Sequence, residues 1–272
     1  MPELDEQVRV MGVLNVTPDS FSDGGLFMSV DKALFHVEEM VSAGADVVDI
    51  GGYSSRPGAD DIDVRTELER LRPIVPLIRK KFPSVILSVD TFRAQVADEM
   101  LGYGADMIND ITAGSDPSMI PLVARHGASY VAMHMQGTPQ TMQIAPTYTN
   151  VVSEVHDFLQ ARVATARAAG IRTVWADPGF GFGKTIQHNY QLLAGLAKLG
   201  DVGAPLAVGL SRKSMFWRRL RVTPLDVLPA VSAAHLYAIL AGARMLRVHD
   251  VGPARQVIMV AHVLQHENFT GT

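Results

Sequence analysis

The strongest constraint in this chain is a rhythm. Short runs rich in aliphatic and β-branched residues recur along it: "VRVMGVLN", "DVVDIG", "VILSVD", "MIND", "YVAMH", "TVWADPG", "PLAVGLS" and "MLRVHD". Each is followed by a polar loop and then by a stretch of helical periodicity. Segments such as "VDKALFHVEEMVSAGA", "RAQVADEMLGYGA", "PSMIPLVARHGA" and "SAAHLYAILAGA" space their apolar residues three to four apart and close on "GA", a glycine stop before the next strand. Strands that are apolar without alternation are buried on both faces, as in a parallel sheet covered by helices. Eight such units in 272 residues predict one domain, a (β/α)8 barrel of α/β class with its core at about residues 8–265. An open, doubly wound sheet is the alternative.

The polar residues favour the barrel. Nearly every predicted strand ends on one: Asn15, Asp49, Asp90, Asn109 with Asp110, His134, Asp177, Ser211 and His249. A closed barrel brings all strand C-termini to one face, where barrel enzymes carry their chemistry, whereas an open sheet scatters some of them. The segment "NVTPDSFSDGG" fits the same face as a long first βα loop, polar and glycine-containing so that it can cover a ligand and withdraw. An N-cap and turn around "TPDS" accounts for only part of it.

Composition narrows the partners. A formal net charge of -4, with no long basic run, argues against nucleic acid and for a small-molecule substrate. The absence of cysteine excludes disulfides, thiol catalysis and cysteine-bound zinc, and fits the cytoplasm. No membrane partner is expected, because "MPELDEQVRV" lacks the pattern of an export signal and no apolar window approaches a membrane span.

Taken in order, "MGVLNVTPDSFSDGG", "DIGGYSSRPGAD", "SVDTFR", "INDITAG", "MHMQGTPQTMQ", "ADPGFGFGKT", "GLSRKSM" and "LRVHDV" resemble the successive motifs of bacterial dihydropteroate synthases, from about residue 8 to 260. The resemblance implies a (β/α)8 barrel, usually a homodimer. It joins 6-hydroxymethyl-7,8-dihydropterin diphosphate to p-aminobenzoate, giving 7,8-dihydropteroate and diphosphate for folate biosynthesis. It also implies roles by position. Asp90, Asn109 and Asp177, with Met133 against the ring and the cations Lys213 and Arg247, match the pterin subsite. Asn15, Ser55, Arg56, Arg247 and His249 match the diphosphate subsite, with Asn15 linked to Mg²⁺. Pro57, Phe182, Lys213 and Ser214 match the p-aminobenzoate subsite, and Asp19 and Ser20 belong to the closing first loop.

Each of these has a plainer reading on its own. An Asp before Thr or Pro is commonly a cap or turn former, a Met is core filler, and an Asn at a strand end is a terminator. The chemistry nevertheless suits the assignment. A pterin edge presents an amidine-like donor pattern that carboxylates and an amide complement, and carboxylates gathered at neighbouring strand ends need a ligand or water to satisfy them. Mg²⁺ keeps most of its waters, so a single protein amide is an adequate ligand. Arg247 and His249, two apart, would point the same way from one strand. The other histidines are expected to be structural, and Arg218, Arg219 and Arg221 a solvated helix face. "GFGFGK" lacks the third glycine of a dinucleotide fingerprint and follows "DP".

The expected reaction is departure of diphosphate from the electron-rich pterin, followed by capture of the resulting cation by the arylamine. Asp90, Lys213, Arg247, His249, Asp19 and Ser20 are the candidate catalytic residues. Two rivals stand beside this reading. A methyltetrahydrofolate-binding methyltransferase barrel also holds a pterin at its mouth but lacks the "SRKS" and "RVHD" apparatus, and a non-catalytic homologue would have lost loop residues that are filled here. Tyr53, where many relatives carry Glu in "GGESTRPG", and Ser55 for the commoner Thr, depart from the family pattern in the second loop. Details of that kind separate sulfonamide-sensitive from sulfonamide-insensitive forms.

Overall fold

The computed structural model describes residues 7–16, 25–54 and 61–266. Eight strands, β1 (Arg9–Asn15), β2 (Val47–Gly51), β3 (Ile86–Asp90), β4 (Met107–Asp110), β5 (Ser129–Met133), β6 (Val174–Asp177), β7 (Leu206–Val208) and β8 (Ala243–Val248), form a closed barrel in sequence order. All neighbours are parallel, and β8 returns to β1. This settles the choice between barrel and open sheet.

The outer layer is α1 (Gly25–Ser42), α2 (Val64–Leu71), α3 (Val75–Lys81), α4 (Ala94–Gly102), α5 (Met119–His126), α6 (Val151–Ala168), α7 (Ile186–Ala194), α8 (Ser214–Leu220), α9 (Leu228–Leu240) and α10 (Val251–His266). The second and seventh units carry two helices each where simple alternation has one. Proline explains the break: Pro73 and Pro224 lie in the linkers, and Pro76 and Pro229 open α3 and α9, where a missing N–H costs nothing. The glycine stops behave as expected. Gly44, Gly104, Gly127, Gly170 and Gly242 all sit at positive φ, the conformation that ends a helix most easily without a Cβ.

Period-two alternation then decides what the barrel interior contains. Met11, Val47, Met107, Val131, Trp175, Ala207 and Met245 pack together inside it, with Ile86 against them. Two residues further along lie Val13, Asp49, Ser88, Asn109, Met133, Asp177 and Arg247 on the same strands, and Gly209 just past the end of β7. An apolar plug is therefore roofed by a polar layer at the strand C-termini. The intervening residues, among them Val48, Ile50, Leu87, Ile108, Tyr130, Ala176 and Leu246, face outward into the shell core under the helices.

At the opposite end a repeated "GAD" ties helix ends to strand starts. Asp46 accepts from Val10 N at 2.7 Å and pairs with Arg255, while Asp106 accepts from Leu87 N at 2.8 Å and pairs with Arg79. The two aspartates satisfy backbone donors that would otherwise be orphaned. This end is built for stability and leaves the other for chemistry.

His235 on α9 is buried, and its Nε2 finds no partner among the described residues. Burial holds its pKa down to about 4, so the unfolded chain binds this proton more tightly and stability falls as pH drops from about 6.5 toward 4. His235→Leu should flatten that acid limb in pH-dependent denaturant unfolding, by at most about 3 kcal/mol. An unchanged acid limb would show that His235 does not contribute to it.

Candidate active site

The polar layer is organised by one carboxylate. Asp49, fully buried on β2, accepts from Ser88 Oγ at 2.6 Å, from Asn109 Nδ2 at 2.9 Å and from Arg247 Nε at 2.7 Å. Arg247 Nη2 donates in turn to Asp90 Oδ2 at 2.7 Å. Strands β2, β3, β4 and β8 are thus joined across the barrel mouth. The guanidinium plane is fixed by two of its five donors, and the other three bond no described residue. Burial alone would lower the Arg247 pKa, but the Asp49 and Asp90 carboxylates more than offset it and hold the group above its ordinary value.

One pocket opens over this network. Asp90, Asn109, Met133, Asp177, Lys213 and Arg247 all line it, so the structure brings together the full set of residues expected around a pterin. Phe182 lines it too, with Lys213 Nζ 4.4 Å from the centre of its ring, a cation–π arrangement. Ile111, Gly179, Phe180 and Gly209 complete the wall. Asp110 does not belong to it. Its side chain points the other way and accepts from Thr112, Gly114 and Tyr130.

The electrostatics are those of a desolvated site. Burial pushes the Asp90 carboxyl up, with Arg247 pulling the other way and Asp49 adding to the rise. Asp177 is raised by burial as well, although Gly179 N donates to its Oδ1 at 2.7 Å. Lys213 is pulled down to about 8, by burial first and then by Arg247. Each charge is costly here without a partner, which favours a polar ligand with several donors.

The remaining expected residues are placed as follows. Asn15 ends β1 in register with Gly51, which is itself in register with Asp90, so the amide stands at the same rim outside the pocket wall. Ser214 opens α8 immediately after Lys213. His249 does not share a strand with Arg247, because β8 ends at Val248. The histidine sits one residue beyond, its N bonded to Ser211 Oγ at 3.3 Å, and it does not line the pocket. Burial, then Arg212 and Arg247, lower its pKa to about 4. Asp19, Ser20, Ser55, Arg56 and Pro57 lie outside the described residues. Arg218, Arg219 and Arg221 are exposed, as expected of a solvated face.

Tyr53 has partners suited to a phenol. Its ring meets Phe92 edge-on at 5.2 Å, the Arg93 guanidinium lies 5.0 Å from its centre, and its hydroxyl accepts from Gln140 Nε2 at 3.0 Å. Arg93 also pairs with the buried Glu67 and donates to Ile62 O at 2.6 Å. Residues on either side of segment 55–60 therefore share one guanidinium. A larger hollow, about 390 Å³ between the start of α6 and α7, lies away from the strand ends and gathers none of the catalytic candidates.

Sequence reasoning noted Asp49 as a strand-end residue but gave it no role. The signal was present, since Asp49 alternates with Val47 and so points inward. Asp49→Ala would leave Arg247 and Asn109 facing a buried void. It should cost about 3 kcal/mol in denaturant unfolding, in line with a broken buried ion pair. A cost below about 1 kcal/mol would mean that the network is not holding the roof.

Residues 11–249 match the model of the pterin binding enzyme family. The chain is 46% identical over 256 residues to the dihydropteroate synthase of Haemophilus influenzae, covering 93% of this chain and 92% of that one. It is also 46% identical to the Escherichia coli dihydropteroate synthase, over 89% and 86% of the two chains. Among solved structures it is similar to a Yersinia pestis dihydropteroate synthase in complex with a sulfonamide drug, with a TM-score of 0.90, 42% identity and 97% coverage of both chains. A Xanthomonas albilineans dihydropteroate synthase with 4-aminobenzoic acid gives a TM-score of 0.89 at 42% identity, covering 96% of this chain and 94% of that one. The chain belongs to the pterin binding enzymes and, among them, to the dihydropteroate synthases.

Proposed function

We propose that this dihydropteroate synthase works by dissociation, with diphosphate leaving a pterin whose developing positive charge is supported by buried carboxylates, and p-aminobenzoate capturing the methylene carbon. The observation that carries the reading is the meeting of Asp90, Asn109, Met133, Asp177, Lys213 and Arg247 in one pocket. Two carboxylates, Asp90 and Asp177, line that pocket with two cations, Lys213 and Arg247, and a third, Asp49, lies beneath against Arg247, a balance suited to a flat heterocycle that becomes positive as its bond breaks. The pterin edge donates to Asp90 and Asp177 and exchanges hydrogen bonds with the Asn109 amide. Those bonds favour the ionised carboxylates that burial alone disfavours.

The leaving group is received at the rim. Arg247 offers its remaining donors from a fixed plane, and Asn15 and His249, further out at the rim, are assigned with Ser55 and Arg56 to the same subsite by the family pattern. The described residues hold no group of three or more His, Cys, Asp or Glu able to form a metal cage. An Asn15 carboxamide beside substrate phosphates suits Mg²⁺, which takes few protein ligands and retains water. When bound, Mg²⁺ would neutralise charge on the diphosphate. The p-aminobenzoate ring is assigned to Phe182 and Pro57, with Ser214 as carboxylate donor and Lys213 between the two substrates. Asp19 and Ser20 in the first loop would help exclude water, which would otherwise trap the cation as the alcohol.

A homodimer is part of the proposal. Helix α9 is apolar or small nearly all round, and Tyr237 and Leu240 on it, with Met259, Val260 and Leu264 on the neighbouring α10, are exposed. A helix of that character is normally covered. No described helix is long and apolar enough to cross a membrane. The absence of cysteine supports the cytoplasm as the compartment.

Purified protein given the dihydropterin diphosphate, p-aminobenzoate and Mg²⁺ should form dihydropteroate. Asp90→Asn should fold but lose turnover by roughly a hundredfold or more. Near-normal turnover in that variant would contradict charge support by Asp90. Sedimentation should give twice the chain mass, and a monomer at micromolar concentration would remove the dimer.

A further inference from the structure

Lys184 closes the "GFGFGK" run after β6 and takes no part in the chemistry described above. It is only 3% exposed. Its ammonium donates to Gly179 O at 2.9 Å, to Phe182 O at 3.0 Å and to His134 Nδ1 at 2.9 Å, with His134 O at 3.3 Å. Among the described residues no carboxylate forms an ion pair with it. An unpaired buried ammonium is expensive to keep, and burial pulls its pKa down to about 7. His134 meets it as a neutral acceptor, its own value lowered to about 3 by burial and then by Lys184.

The acceptors identify what the ammonium holds. Gly179, whose carbonyl it binds, donates its N–H to Asp177 Oδ1 at 2.7 Å, and Asp177 lines the pterin pocket. Phe182, whose carbonyl it also binds, lines the same pocket with its ring under Lys213. The loop reaches this arrangement through positive φ at Gly179, Gly181 and Gly183. A Cβ at Gly179 would collide with His134 O and one at Gly183 with the Gln136 backbone, so the loop is pressed against the end of β5. The glycines that resemble a nucleotide fingerprint thus let a backbone fold over a lysine.

We propose that Lys184 is a positioning residue for the condensation: through one glycine loop its ammonium orients Asp177 toward the pterin and Phe182 toward p-aminobenzoate. The inference rests on the function proposed above. Both subsites depend on a single group, so its loss perturbs both together.

Steady-state kinetics of Lys184→Met and Lys184→Gln, each varied in both substrates and accompanied by thermal unfolding, test it. The Met variant keeps the length and loses every donor, and it should raise both KM values by roughly tenfold or more. The Gln variant retains two donors and should fall between Met and wild type; should the Met variant not fold, the Gln variant carries the same comparison. A residue that merely stabilises the fold would reduce the amount of active enzyme, lowering kcat and leaving both KM values in place. That result, a rise in only one KM, or loss of folding in both variants would overturn the proposal. Wild-type protein that forms no dihydropteroate would instead overturn the function on which the proposal rests.

Discussion

The site depends on a carboxylate that need not touch either substrate. Asp49 sits where alternation along β2 turns inward at the top of the apolar plug, and it fixes Arg247 and Asn109 from opposite sides of the barrel. A guanidinium buried without such a partner would be strongly disfavoured, and one held by a single contact could turn. With Asp90 as a second acceptor its plane is set before any ligand arrives. Preorganisation of this kind is what makes a buried dipole or charge useful to a transition state, since no reorganisation is left to the moment of bond breaking.

Barrel closure gathers Asp90, Asp177, Lys213 and Arg247 around one pocket, the one that the proposed function assigns to the pterin, with the proposed anion rim beside it. In the proposed mechanism positive charge would develop beside Asp90 and Asp177, which line the pocket, and negative charge would leave past Arg247. Asn15 and His249 stand further out. On that proposal the two ends of the breaking bond would meet opposite electrostatic environments within one layer of side chains. The loops after β5 and β6 supply the third element, holding Phe182 against Lys213, where the proposed function brings the two substrates together.

Much of this was legible before any coordinates, and the reasons are local. Eight apolar runs, glycine-terminated helices and polar strand ends each follow from short-range patterns, and barrel closure turns the strand ends into one site. Asp90 and Asp177 close their strands and Asn109 lies one residue from the end of its own, so closure alone groups them, whereas Arg247 joins them through the family motif "LRVHD". What was not legible depends on contacts that closure alone creates. Asp49 and Arg247 are 198 residues apart, Tyr53 and Gln140 are 87 apart, and Lys184 and His134 are 50 apart. Nothing in a local pattern says that a lysine after "GFGFG" will turn inward to meet a histidine at the end of another strand. The position of His249 was misjudged for a related reason: β8 stops one residue before it, and alternation ceases to apply there.

The most direct measurement is a crystal structure of the protein with its product, 7,8-dihydropteroate. The account predicts the pterin edge hydrogen-bonded to Asp90, Asn109 and Asp177, the Arg247 plane still held by Asp49, and the benzoate ring beside Phe182 and Lys213. Product bound elsewhere, for instance in the hollow between α6 and α7, or an Arg247 released from Asp49 on binding, would contradict it.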